Sequence, residues 1–376
     1  MTQTTGFVWH EKSMWHDNGA ASGTYPASGE FQPGIHVENP ETKRRLKNLL
    51  DAYDVTPELT AVNPIPMDES ALLNFHTPQY VDLVKSQSRT TGGSVGDAAW
   101  AGPGTFDIAR LAAGGTYSAI SAVLEGSCRN AYALMRPPGH HAERDRGRGF
   151  CIFNNIALGI LAARQSHQIE RVVVVDWDVH HGNGTQQAFY SDPNVLTISL
   201  HQEMLYPVNL GTLSETGSDA GEGTNLNIPL PAGCGGEAYL TALDEIVLPS
   251  LHAFKPDLIV VACGFDASYF DPMSHMLLVA SHFKTMTERM MQAADDLCAG
   301  RIVLNHEGGY SEFYVPFCGV AAIEALSGIE SGVKDPYRGT EKVDNQRLKP
   351  HQRAAIDAAR DGPLARMMTK VKATPR

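Results

Sequence analysis

No stretch of the 376 residues holds the ~20 consecutive apolar side chains that a membrane-crossing helix requires. The opening residues, MTQTTGFVWHEKSMWHDNG, lack an apolar segment behind a basic one, so they do not read as a secretory leader. Positive charge is also short, with 30 Lys and Arg against 42 Asp and Glu and a formal net charge of -12. That balance argues against nucleic acid as a partner, because phosphate binding wants a basic surface. Cysteine is sparse: the six (Cys128, Cys151, Cys234, Cys263, Cys298 and Cys318) are scattered, with no C-x-x-C pair. In a chain this long they read as free buried thiols rather than as a disulfide framework, and a reducing cytoplasm is the expectation. Internal repeats, long linkers and low-complexity tracts are absent too. What remains, 43% hydrophobic and 19% charged, is the composition of a globular protein with a large core.

Punctuation by glycine and proline organises the chain. Ser22 to Glu38 reads as a long surface loop, and Thr91 to Gly104 as a second. Asn39 reads as an N-cap with Pro40 at the first helical position, followed by Leu46, Leu49, Leu50 and Tyr53 at helical spacing. A helix rich in Ala and Leu is predicted from about Asp107 to Leu124. Beyond it, short apolar runs (Ala131–Met135, Arg171–Asp176, Val195–Leu200, Leu258–Ala262, Arg301–Asn305) alternate with helical patterns (Ala157–Gln165, Tyr239–Phe254, Phe283–Cys298). This alternation predicts one α/β domain spanning 1–376, with a mainly parallel sheet covered by helices on both faces. From Gly339 onward nine Lys and Arg face four Asp and Glu, which reads as a solvated C-terminal helix and basic tail.

Four of the predicted strands run straight into polar, glycine-rich sequence: RPPGHH, DWDVHHGNGT, CGFDAS and HEGGYS. Ligands of open α/β sheets bind outside the carboxyl ends of the strands, so four strand ends point at one site. Asp178 and His180, one residue apart, can reach one ion from the same side of an extended segment, and Asp266 can supply a third ligand. A lone Asp-x-His is more often a surface turn. Here the tandem His140 and His141 stand at another strand end, and a metal site with an adjacent general base explains both. One His and two carboxylates suit a borderline divalent metal and leave a position open for water and substrate.

RPPGHH, GFCIFNN, DWDVHHGNGTQ, SLHQ, GFDAS and EGGYS, in this order, resemble the zinc-dependent histone deacetylase family from about Phe7 to Ile329. Asn183 in HHGNG resembles the class II branch, and the whole pattern is most similar to bacterial histone-deacetylase-like amidohydrolases. The resemblance implies the arginase/deacetylase-like fold and a catalytic zinc ion on Asp178, His180 and Asp266. It implies a general base among His140 and His141, oriented by Asp176 and Asn183 respectively, and Tyr310 as the oxyanion donor beside the flexible Gly308. Phe150, after Gly149, would wall the tunnel that takes the stem of an acyl-lysine. Tyr206 stands where relatives usually carry a second phenylalanine, and Met273 near the position of a glutamate gatekeeper in polyamine-selective relatives. Asp97 is assigned to the rim. Potassium is the implied second ion, at an inner site (Asp176, Asp178, His180, Ser199, Leu200) and an outer one (Phe189, Asp192, Val195). The implied partner is an acylated lysine peptide or a small acylated amine, and a dimer or tetramer is expected. An arginase-like two-metal site is disfavoured because His181 and Gly182 follow the Asp-x-His where another carboxylate would be needed. A silent acyl-lysine binder would be expected to lose Tyr310 or the histidine pair. An acetylpolyamine amidohydrolase remains open.

Overall fold

The four valines ahead of Asp176 divide between two cores. In the computed structural model, which describes residues 4–22 and 24–373, Val173 and Val175 join one hydrophobic cluster and Val172 and Val174 the other. Side chains alternate across a strand, so this one is covered on both faces and must lie inside a sheet. The sheet has eight strands: β1 (Thr5–Trp9), β2 (Thr60–Val62), β3 (Asn130–Leu134), β4 (Val172–Asp176), β5 (Val195–Gln202), β6 (Asn225–Leu230), β7 (Leu258–Cys263) and β8 (Ile302–His306). Their order is β6-β5-β4-β7-β8-β3-β1-β2, and every neighbouring pair is parallel.

Five of these strands match the predicted runs to within two residues; β1, β2 and β6 were not anticipated. On one face pack helices Thr105–Leu124 and Asn155–Ser166; on the other lie Glu41–Ala52, Ala280–Cys298 and Val315–Ser327. The predicted helix Tyr239–Phe254 is three pieces, Gly236–Ala242, a wider turn Leu243–Val247, and Leu248–Phe254. Pro249 has no N–H for the usual i→i−4 bond, which accounts for the break in regular winding. The first long helix starts at Glu41, one residue later than expected, yet the Asn39 side chain still accepts from Glu41 N at 2.9 Å.

Both predicted loops carry structure. Within Thr91–Gly104, Gly93–Asp97 pairs antiparallel with Ala99–Ala101 and parallel with Gly147–Arg148. At the end of the other, Glu38 is fully buried rather than on the surface. The C-terminal segment is docked: Ile356, Ala359, Leu364 and Met367 sit in the larger core, while Arg353 and Arg360 pair with Glu245 and Asp357. All six cysteines are free and buried. Among the described residues no helix is long and apolar enough to cross a membrane.

Candidate metal-dependent active site

Strands β4, β7, β8 and β3 are adjacent in the middle of the sheet, so the four polar sequences that follow them converge. Asp178, His180 and Asp266 meet there, all buried, with ligand atoms within 4.8 Å of one another. His180 Nδ1 lies 3.1 Å from Asp178 Oδ1 and 3.0 Å from Asp266 Oδ2. Ligands about 2.0 Å from a tetrahedral zinc ion stand roughly 3.3 Å apart, so these spacings fit such a centre. The backbone fixes the carboxylates: Gly308 N donates to Asp178 Oδ2 (2.8 Å) and Val179 N to Asp266 Oδ1 (2.8 Å). The ion pairs recorded for these two aspartates among the described residues are with histidines, not with Lys or Arg. Burial and the Asp178 charge push Asp266 up to about 6. Two buried carboxylates this close call for a cation, and the donor set of one imidazole and two carboxylates suits zinc. Gly308 lies against this cluster, where an added Cβ would collide with Asp266 Oδ2.

The loop carrying the tandem histidines is pinned at both ends. Arg136 donates from Nε to Glu38 Oε1 (2.9 Å) and from Nη1 to the carbonyl of His16 (2.6 Å), and Lys43 closes the triad with a 3.1 Å bond to Glu38. All three side chains are about 1% exposed. Burial would raise the Glu38 carboxyl, but Arg136 and Lys43 outweigh it and hold it well below the carboxylate range. Further on, Glu307 accepts from Gly139 N (2.7 Å) and His140 N (3.2 Å), with its own pKa lifted to about 7 by burial.

His140 and His141 have ring centroids 4.0 Å apart. His140 Nδ1 is 3.0 Å from Asp176 Oδ2; His141 Nδ1 is 2.8 Å from Asn183 Oδ1. Burial disfavours charge on His140, but Asp178 and Asp176 outweigh it and push the imidazole up to about 10. Burial first, and then the neighbouring His140 charge, hold His141 well below its ordinary value.

Above these groups opens a tunnel of about 390 Å³, with His141, His180 and Tyr310 deep in its wall beside Phe150, Tyr206 and Met273. Gly149 and Asp97 also line it, with Thr24, Tyr25, Ala98 and Leu205. Phe150 adopts φ 69°, a conformation unusual for a bulky residue. It is held by bonds from Gly149 N to Asp97 O (3.0 Å) and from Phe150 N to Ala98 O (2.9 Å). The segment read as a loop is thus the rail on which the tunnel aromatic is mounted. Gly149 has φ +50°, and a Cβ there would strike the His141 ring. Tyr206 donates its hydroxyl to Asp97 Oδ2 (3.0 Å), and its ring stands edge-on to His141 at 5.0 Å. Tyr310 N donates to Asp271 Oδ2 (2.7 Å), and burial keeps the Tyr310 hydroxyl protonated.

Of the residues expected to hold potassium, Ser199 is paired with Asp176 across the β4–β5 ladder, with Leu200 next along. Phe189, Asp192 and Val195 form a separate turn in which Asp192 N donates to Phe189 O (3.0 Å) and Val195 N to Asp192 O (3.5 Å). Glu38, Arg136, Glu143, Arg148, Asp271 and Glu307 were not singled out from sequence. Glu307 offered a signal, as an acidic residue straight after a strand; the others have distant partners.

A parallel sheet whose central strand ends gather a His/carboxylate metal cluster, paired histidines and a tyrosine beneath an aromatic tunnel defines a metal-dependent amide hydrolase. The chain belongs to the histone deacetylase family: the Histone deacetylase domain matches residues 36–326. It is 49% identical over 341 residues to the histone deacetylase-like amidohydrolase of Pseudomonas aeruginosa, covering 90% of each chain. It is 37% identical to a probable deacetylase of Archaeoglobus fulgidus, over 88% of this chain and 89% of that one. The crystal structure of the HDA15 HD domain superimposes with a TM-score of 0.83 at 29% identity, covering 99% of both chains. The family is typically zinc-dependent, as the donor set here suits.

Proposed function

We propose that this chain is a zinc-dependent deacylase of acyl-lysine side chains, with Asp178, His180 and Asp266 as the metal ligands. The observation that carries this reading is the convergence of His141, His180 and Tyr310 in one tunnel walled by Phe150 and Tyr206. Zinc, when bound, supplies polarisation of the amide carbonyl and acidification of the attacking water. His141, neutral and held through Nδ1 by Asn183, takes the proton from water at Nε2 and returns it to the leaving lysine amine. His140, held at Nδ1 by Asp176 and favoured in its protonated form by Asp178 and Asp176 together, contributes positive charge beside the developing oxyanion. Tyr310 donates its hydroxyl to the same oxygen.

Phe150 and Tyr206 face the aliphatic stem and exclude water from it. Met273, uncharged in the tunnel wall, offers nothing to a second ammonium group, which supports acyl-lysine over acetylpolyamine. Potassium is assigned to the inner group of Asp176, Asp178, His180, Ser199 and Leu200 and to the outer turn of Phe189, Asp192 and Val195. Asn183 supports a class II, bacterial-type enzyme; the scattered free thiols support a cytoplasmic one. We assign one catalytic domain over 1–376, its core about 7–329 followed by the C-terminal helix and basic tail of about 339–376, acting as a homo-oligomer without nucleic acid or membrane.

The test is hydrolysis of an acetyl-lysine fluorogenic peptide by zinc-loaded protein, beside N-acetylputrescine and Tyr310→Phe. Rapid peptide turnover that falls about 10²–10³-fold in the variant supports the reading. Turnover of N-acetylputrescine alone replaces it with the polyamine assignment, and turnover of neither substrate sinks the acyl-lysine one.

A further inference from the structure

An imidazole works as a base only through the nitrogen that lacks a proton, so something must decide which nitrogen that is. For His140 the decision is direct, since a carboxylate at Nδ1 can only accept. For His141 the neighbour is Asn183, whose amide has one accepting end and one donating end and fixes nothing until it is itself fixed. The structure contains the group that fixes it. Asn183 Nδ2 donates to Glu143 Oε1 at 2.7 Å and to the His141 carbonyl at 3.3 Å, two oxygens that accept. Glu143 is buried and held by Arg146 (2.6 Å) and Arg148 (2.7 Å). Arg148 in turn donates to Asp97 at the tunnel mouth (3.3 Å).

We infer that Glu143 is a positioning residue of the deacylase reaction, acting through Asn183 to set the tautomer of His141. The inference rests on the deacylase reading above. Its logic has three links. Glu143 takes the amino end of Asn183; the carbonyl end then faces His141 Nδ1 at 2.8 Å; an accepting oxygen there requires Nδ1–H, which leaves the Nε2 lone pair free for the tunnel. A carboxylate therefore specifies the base from two residues away, without placing its charge against the ring.

Glu143→Gln tests this, because glutamine keeps the size but offers a donor as well as an acceptor and lets the Asn183 amide turn over. In zinc-loaded protein with the acetyl-lysine peptide, kcat should fall on the order of 10–100-fold with KM within about twofold. Long-range ¹H–¹⁵N spectra of histidine-labelled protein should show His141 losing its single Nδ1–H form, and Glu143→Asp should restore much of both. Should Glu143→Gln not fold, Arg148→Met, which frees one side of Glu143, should show the same signature at smaller size. An unchanged kcat, or a fall in kcat with the His141 tautomer intact, overturns the inference. If the wild type does not turn over the peptide, the deacylase reading fails separately, while the tautomer readout still decides what Glu143 does.

Discussion

His140 and His141 are neighbours in sequence and close in space, their ring centroids 4.0 Å apart and their planes tilted by 41°, yet their surroundings drive them apart. Each presents Nδ1 to one oxygen at about the same distance, 3.0 Å from Asp176 and 2.8 Å from Asn183. One oxygen belongs to a carboxylate and the other to an amide. The first imidazole is pushed up to about 10 and the second held well below its ordinary value, although both are buried. Two rings of one residue type are thereby pushed toward opposite protonation states, because adjacent environments shift their affinities in opposite directions. The difference teaches that at this site function follows the partner more than the residue.

The contrast breaks most severely when the neutral ring is removed. His141→Ala should lower kcat on the peptide by about 10²–10⁴-fold, whereas His140→Ala should cost about 10–100-fold; the reverse ranking would exchange the two roles. Asn183→Asp makes the two pairs alike. A carboxylate beside His141 favours the imidazolium, so its pKa rises and the acid limb of the kcat/KM profile should move about one to two units toward alkaline pH. Asp176→Asn works in the opposite sense: His140 loses a charge that holds its proton, and the alkaline limb should move to lower pH with about a tenfold loss of rate. Tyr206→Phe keeps the ring that stands against His141 and leaves both Nδ1 partners in place. It removes one hydrogen bond to Asp97, worth about 0.5–1.5 kcal/mol, and should change KM two- to tenfold, by roughly that energy, with both limbs of the profile in place.

What could be read from the chain depended on where the partners lie. Strands β3, β4, β5, β7 and β8 show as apolar runs because they are buried on both faces. Strand β6, NLNIPL, does not, since Asn225 and Asn227 interrupt the pattern; both are buried and donate to Gln186 Oε1, at 2.8 and 3.0 Å. Gly93–Asp97 is hidden by its glycines and by a bulge at Ser94/Gly96. The convergence of Asp178, His180 and Asp266 was legible because strand ends in a parallel sheet share one crevice. Glu143 was not: its meaning comes from Asn183, 40 residues on, and that of Glu307 from Gly139, 168 residues back. No spacing rule connects such pairs until the fold does.

The triad of Glu38, Lys43 and Arg136 bears on how this sequence can change over time. Loss of Glu38 strands two buried cations, Lys43 and Arg136, at about 3–5 kcal/mol or more, a large fraction of what keeps a domain folded. Neutral drift by a single step is therefore closed at Glu38, on which both cations depend. The segment around Glu38 and the histidine loop, 98 residues apart in the chain, are heritable only as a set. A graft that moves the RPPGHH loop into another scaffold must carry the distant glutamate with it.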